Sequence, residues 1–119
     1  MSENKCYIYV KDVTGVQALS DEDGEKLFHI IENSISQKFK VIVDFEGVEE
    51  ILTIYLNAAI APLYENHTSD ELNEYLKIIN LGEHISSLKR VIQRAKIFYN
   101  NKNDMMKFMD KEVYDEQNY

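Results

Sequence analysis

Val41-Ile42-Val43, three β-branched residues in a row inside the segment Lys40 to Phe45, constrain the fold more than any other feature of the chain. A half-solvated strand alternates apolar and polar residues. A short continuous apolar run instead fits a central strand buried on both faces, as in a parallel sheet covered by helices. Such a strand needs partners on either side and helices over it. Asp44 closes the run, and Glu46-Gly47-Val48-Glu49-Glu50 reads as the loop that leaves it.

The preceding residues supply a first strand and a first helix. Residues 5–10, with Tyr7-Ile8-Tyr9-Val10, have strand composition, and Gly15 marks a turn. Ser20 is a good N-cap residue, and Asp21, Glu22, Asp23 and Glu25 crowd the turn after it, where the helix dipole favours negative charge. Leu27, Ile30, Ile31, Ser34 and Ile35 follow at helical spacing, with the helix ending near Lys38. Gly24 costs that helix about 1 kcal/mol in propensity, and nothing in its sequence neighbourhood explains it.

The following residues supply the rest. Thr53 to Tyr64 carries an apolar stripe of Leu56, Ala59, Ile60 and Leu63, interrupted by Pro62, which must kink or end a helix. Ser69 or Asp70 can cap a short helix through Tyr75, and Leu76 to Leu81 reads as another strand. From about residue 83 to 100, Leu88, Val91, Ile92, Ala95 and Phe98 repeat so as to bury one helix face. The order β-α-β-α-(α)-β-α predicts an α/β domain over residues 1–100, a sheet of about four strands covered by helices. Residues 101–119 are expected to form a tail, helical or partly disordered. Its Met105, Met106, Phe108 and Met109 could pack on the domain or on a partner.

Charge narrows the function. With 21 acidic against 13 basic residues the formal net charge is −8, which suits neither nucleic acid nor an anionic membrane as a broad partner. No apolar run approaches a membrane span and the N-terminus lacks a signal-peptide pattern, so the expected setting is cytoplasmic. The single cysteine, Cys6, forms no internal disulfide and reads as a small strand residue. One basic strip runs against the trend: Lys89, Arg90, Arg94, Lys96 and Lys102, with no acid between His84 and Lys102. It reads as a solvated helix face or as a docking strip for an acidic partner.

No catalytic constellation emerges. His29, His67 and His84 lack metal-pair spacing and read as surface or edge histidines, and the four glycines form no phosphate loop. No catalytic residue, cofactor or metal is therefore expected, and the chain is expected not to be an enzyme. Thr53 draws attention as a hydroxyl at a strand-to-helix junction, where it could cap the helix or accept a phosphoryl group. Thr53, Asn57 and Ala61, spaced i, i+4, i+8, form a small weakly apolar stripe. With Glu46, Glu49 and Glu50 they make a candidate partner-binding surface.

The same segment carries a resemblance. Asp44-Phe45-Glu46-Gly47-Val48, followed by Ile51 and a hydroxyl residue, resembles the STAS superfamily, whose best-known members are anti-sigma factor antagonists. Aligned from Asp44, their phosphorylatable serine matches Thr53. The aspartate before it is replaced by Leu52, and the small residues after it by Ile54 and Tyr55. The STAS-like branch, a bacterial and phage family of unknown function, is a closer match. It resembles this chain in Ser20 to Gly24, Val41 to Val48, Asn57 to Tyr64, Leu76 to Leu81 and Leu88 to Ile92. The resemblance implies an α/β fold over about residues 5–100. It also implies a non-enzymatic regulatory module that binds another protein, partner-switching through Thr53. Charge alone suggests a second reading, an acidic phage or mobile-element accessory protein that modulates a host factor. The third reading is a small enzyme. The chain's eight tyrosines and five phenylalanines also provide aromatic surface for a homodimer.

Overall fold

The Val41-Ile42-Val43 run is the centre strand of a parallel sheet. The structure, a computed structural model, describes residues 4–107, with side chains as far as Tyr99. Strand β1 (Lys5–Tyr9) lies on one side of β3 (Lys40–Asp44), with Cys6 opposite Val41 and Ile8 opposite Val43. Strand β5 (Leu76–Ile79) lies on the other side, with Val41 opposite Leu76 and Val43 opposite Ile78. A separate two-residue ladder joins β2 (Gln17–Ala18) to β4 (Glu50–Ile51), also in parallel. The α/β class is as expected. Among the described residues, the main sheet has three strands, where about four were expected, and this clip has two.

Helices fill the connections. A five-residue helix α1 (Val10–Thr14), which the sequence does not signal, follows β1 directly, and α2 (Asp21–Ser36) leads into β3. Ser20 caps α2, its hydroxyl accepting the Asp23 N–H at 3.0 Å. Helix α3 (Thr53–Ala59) stops before Pro62, which becomes the N-cap of the single turn α4 (Leu63–Asn66). The missing proline N–H thus falls where no intrahelical partner is needed. Helix α5 (Ser69–Tyr75) is capped not by Ser69 or Asp70 but by Thr68, whose hydroxyl accepts the Glu71 N–H at 3.0 Å. A short 3₁₀ turn, Gly82–His84, then precedes α6 (Ile85–Lys107). Phe108 and Met109, part of the expected tail, lie outside the described residues.

One apolar cluster holds these elements together. It joins Ile8, Val41 and Val43 of the sheet to Leu27, Ile31 and Ile35 of α2, to Tyr55, Leu56 and Ala59 of α3, and to Leu88 and Val91 of α6. Phe98 departs from the expected stripe. It is 60% exposed, its ring edge-on to Tyr99 at 4.8 Å; among the described side chains of α6 the last buried one is Ala95. From Lys40 to Val43 the burial of β3 is also one-sided. Val41 and Val43 face the helices, whereas Ile42 is half-buried on a second face that no described helix covers.

His67 is not the surface residue its sequence suggests. Its side chain is 7% exposed, with Nε2 3.0 Å from Glu32 of α2 and Nδ1 3.1 Å from Glu71 of α5. A carboxylate thus stands at each ring nitrogen. Lys38 adds a cation 3.7 Å from Glu71. The cluster ties the end of α2 to α5.

Gly24 is explained by the contact between α2 and α3, the most extensive between two helices. A Cβ at Gly24 would stand 2.5 Å from the Tyr55 carbonyl oxygen and 2.8 Å from the Ala58 Cβ. Only a residue without a side chain lets α3 backbone approach this closely. Alanine there gains about 1 kcal/mol of helix propensity, but it forces a backbone carbonyl to move, and overpacking costs about 1–3 kcal/mol. Gly24→Ala is therefore expected to lower stability by about 1 kcal/mol or more in urea unfolding. An increase in stability would show that α3 is free to withdraw.

Candidate functional site

The carboxyl ends of β1, β3 and β5 converge on Asp44. Its side chain is buried, the residue retaining 2% of its exposure, and each oxygen is engaged. Oδ2 accepts the Tyr7 hydroxyl at 2.5 Å. Oδ1 accepts Nδ2 of Asn80 at 2.8 Å and the backbone N–H of Glu46 at 2.9 Å. The Tyr7 bond, followed by that from Asn80, holds the Asp44 carboxyl below its ordinary range against the opposing effect of burial. The same bond to Asp44 is the main reason the Tyr7 phenol is pushed up to about 12.

The Asp44–Glu46 bond starts the loop that follows. Phe45 accepts the Val48 N–H at 3.0 Å, closing a turn in which Gly47 takes φ +83. The Lys11 stem lies across that glycine, 3.0 Å from where a Cβ would be. Beyond the turn, Glu49 donates its N–H to Val16 at 2.7 Å, and Leu52 donates to Ala18 at 2.9 Å. Residues 46–52 are thus clipped to residues 16–18 through the β2–β4 ladder. Phe45 and Tyr55 pack edge-on beneath, ring centroids 6.5 Å apart. Burial pushes the Tyr55 phenol up, while its bond with Thr14 at 3.3 Å acts in the opposite sense.

On this anchored backbone, Leu52-Thr53-Ile54 projects outward. Leu52 is 43% exposed and Ile54 51% exposed, on either side of an exposed Thr53. Thr53 does not cap α3. The N-cap position belongs to Leu52, whose carbonyl accepts the Tyr55 N–H at 3.0 Å, and no side chain caps the helix. The Thr53 hydroxyl makes no hydrogen bond among the described residues.

Glu46, Glu49 and Glu50 are all exposed and are in no ion pair among the described residues. Asn57 is exposed one turn beyond Thr53. Ala61 departs from the stripe. It lies past the end of α3, half-buried against the core, because the helix stops at Ala59 ahead of Pro62. Glu46, Glu49, Glu50, Thr53 and Asn57 are thus all exposed in the segment from the end of β3 into α3, as are Leu52 and Ile54, whereas Ala61 is set apart.

The partners of Asp44 could not be found by local spacing, since Tyr7 and Asn80 lie 37 and 36 residues away. One signal was present: a polar residue and a glycine, Asn80 and Gly82, directly after a strand. Ile54 was detectable as an apolar residue off the Leu56/Ile60/Leu63 spacing, whereas Leu52 extends that spacing one turn earlier and reads from sequence as part of the buried stripe. The basic strip lies on α6, with Lys89, Arg90 and Arg94 exposed opposite the buried Leu88, Val91 and Ala95. Lys102 lies beyond the described side chains. No group of His, Cys, Asp and Glu among the described residues is arranged to hold a metal, and no described helix is long and apolar enough to cross a membrane.

The small parallel sheet, with its central strand ending at Asp44 and a loop leading into a helix that opens at Thr53, is consistent with a STAS-like fold. A family model for the STAS-like domain of unknown function matches residues 23–86. That span is more than half of the chain, and the chain belongs to this family. It runs from the first turn of α2 to the start of α6 and contains Gly24, Asp44 and Thr53. No curated protein and no solved structure matches.

The hub at Asp44 generates a pH prediction. A carboxyl whose folded pKa is depressed contributes its stability above the unfolded value, near 3.9, and loses it as pH falls through the lower folded value. Asp44→Asn is expected to be less stable than the wild type by about 1.5–3 kcal/mol at neutral pH, the range for hydrogen bonds to a charged group. The gap should narrow as pH falls from about 4 toward 2. Urea midpoints measured across that range check it; a gap that stays constant would remove Asp44 as the source.

Proposed function

We propose that the chain is a non-enzymatic regulatory module that binds a partner protein through the rim formed by residues 46–57. The observation that carries this reading is the exposure of Leu52 and Ile54 on either side of Thr53. Two large apolar side chains held out by a hydrogen-bonded backbone cost solvation in the free protein and are available to bury against a partner. Around them stand Glu46, Glu49 and Glu50. The complementary surface would be an apolar depression bordered by lysine or arginine, with the carboxylates steering the encounter and the apolar pair supplying affinity.

Thr53 lies between Leu52 and Ile54 and is exposed, its hydroxyl in no hydrogen bond among the described residues. Phosphorylation would place nearly two negative charges between Leu52 and Ile54, in the patch that a partner must desolvate. That is a physical route to partner switching, and it needs no rearrangement of the domain. Because Thr53 makes no capping bond, its replacement by alanine should be nearly neutral to folding, within about 0.5 kcal/mol.

The test uses the intact chain as bait in its native host. Wild type, Thr53→Ala, Thr53→Glu and the pair Leu52→Asp/Ile54→Asp are compared, with intact-mass analysis of the recovered bait and thermal unfolding of each. The expected result is a partner kept by wild type and Thr53→Ala, weakened at least tenfold by Thr53→Glu and lost by the double aspartate variant. A phosphate on the recovered wild type would complete the switching mechanism. If all four folded forms hold the same proteins with equal affinity, the rim is not the binding surface.

A further inference from the structure

The second face of the main sheet has no cover among the described residues. Parallel sheets are ordinarily buried on both sides. Here Cys6, Ile8, Val41, Val43, Leu76 and Ile78 point to the helices and belong to the apolar cluster or pack against it. Their alternates, Tyr7, Tyr9, Ile42 and Ile79, belong to neither group. Tyr7 is 51% exposed and Tyr9 49% exposed, their rings 5.0 Å apart. The face is therefore aromatic and aliphatic along its middle.

Its charge opposes that of the molecule. Lys5 and Lys40 are register partners at its amino end, and Lys77 stands beside Ile42 on the same side. Lys5 and Lys77 are exposed. Among the described residues of the three strands, the acid on this face is Asp44, whose two oxygens are taken up by Tyr7, Asn80 and the Glu46 N–H. A hollow of about 330 Å³ opens at the lysine end of the strands, where Lys5, Lys40, Ile42 and Lys77 meet the end of α5 at Glu74 and Tyr75. On a chain of net charge −8, this face presents cations beside an apolar strip.

Size narrows the occupant. Three strands about 4.8 Å apart and five residues at about 3.3 Å each make a face of roughly 14 by 16 Å. That is small beside the roughly 800 Å² per partner of a standard protein interface, and a second copy would bring lysines to lysines' own kind of surface. It is close to the width of one α-helix, about 10–12 Å, over about eleven residues of its length. We propose that this face is a docking site for one acidic amphipathic helix of a partner protein, lying where a covering helix would sit in a sheet buried on both sides. Its apolar stripe would rest on Tyr7, Tyr9, Ile42 and Ile79, and its carboxylates would meet Lys5 and Lys77. The site uses none of the residues of the Leu52–Ile54 segment and stands without it.

The test titrates the full chain with a synthetic 18-residue peptide carrying leucine at i, i+3, i+4 and i+7 and glutamate on its flanks, and with its counterpart carrying lysine for glutamate. Backbone amide shifts and affinity are followed at low and high salt. The expected result is that the glutamate peptide shifts amides of residues 5–9, 40–44 and 76–79, and that the lysine peptide does not. Affinity should fall at least tenfold in Lys5→Glu/Lys77→Glu and in Tyr9→Ser, variants of exposed residues whose thermal midpoints verify folding, and should weaken with salt. Shifts mapping to residues 46–57, equal binding of both peptides, or unchanged affinity in the folded variants would each overturn the proposal. So would two results without peptide: concentration-dependent shifts of the same amides, which assign the face to a second copy, or their movement on deletion of residues 108–119, which assigns it to the chain's own end.

Discussion

Asp44 is the interaction on which both surfaces of the domain depend. A carboxylate with almost no solvent access is stable only if its oxygens are satisfied, and here the donors come from three separate places. Tyr7 belongs to the neighbouring strand, Asn80 follows the strand on the other side, and Glu46 opens the loop. One buried charge thereby fixes the carboxyl ends of all three strands relative to one another. It also orients the first residue of the acidic rim and holds the Tyr7 ring on the uncovered face.

A second constraint acts from the helix side. The absence of a side chain at Gly24 lets the backbone of α3 approach α2 closely at Tyr55 and Ala58. Tyr55 is then fully buried, packed on Phe45 and bonded to Thr14. Because α3 is held from below by this contact and from its start by the Leu52–Ala18 bond, its first turn has little freedom to fold Leu52 and Ile54 inward. Their exposure follows from how the helix is anchored.

These two constraints mark how far the sequence could be read. The strand at Val41-Ile42-Val43 and the Ser20-capped helix were legible because their signals are local: a β-branched run, a hydroxyl before an acidic turn, apolar residues at helical spacing. The early end of α3 followed from Pro62 alone. The reason for Gly24 was not legible, since its neighbours are more than thirty residues away and its local effect is unfavourable. His67 was misread for the same reason: the carboxylate opposite its Nε2 is Glu32, 35 residues distant. Ile42 shows a different limit. An apolar run reports that a strand is hydrophobic on both faces, not that each face has found its cover.

The two surfaces differ in chemistry as much as in position. The rim at residues 46–57 offers carboxylates around an apolar pair; the uncovered sheet face offers lysines around an aromatic strip. A partner suited to one is repelled by the other, because like charges brought together across an interface cost more than rim contacts return. If both proposed sites bind as argued, a single ligand bridging them is disfavoured, and two ligands of opposite character would be held on one small domain. Asp44 would then serve both sites as a fixed joint, with Tyr7 bound to one of its oxygens and the Glu46 N–H to the other.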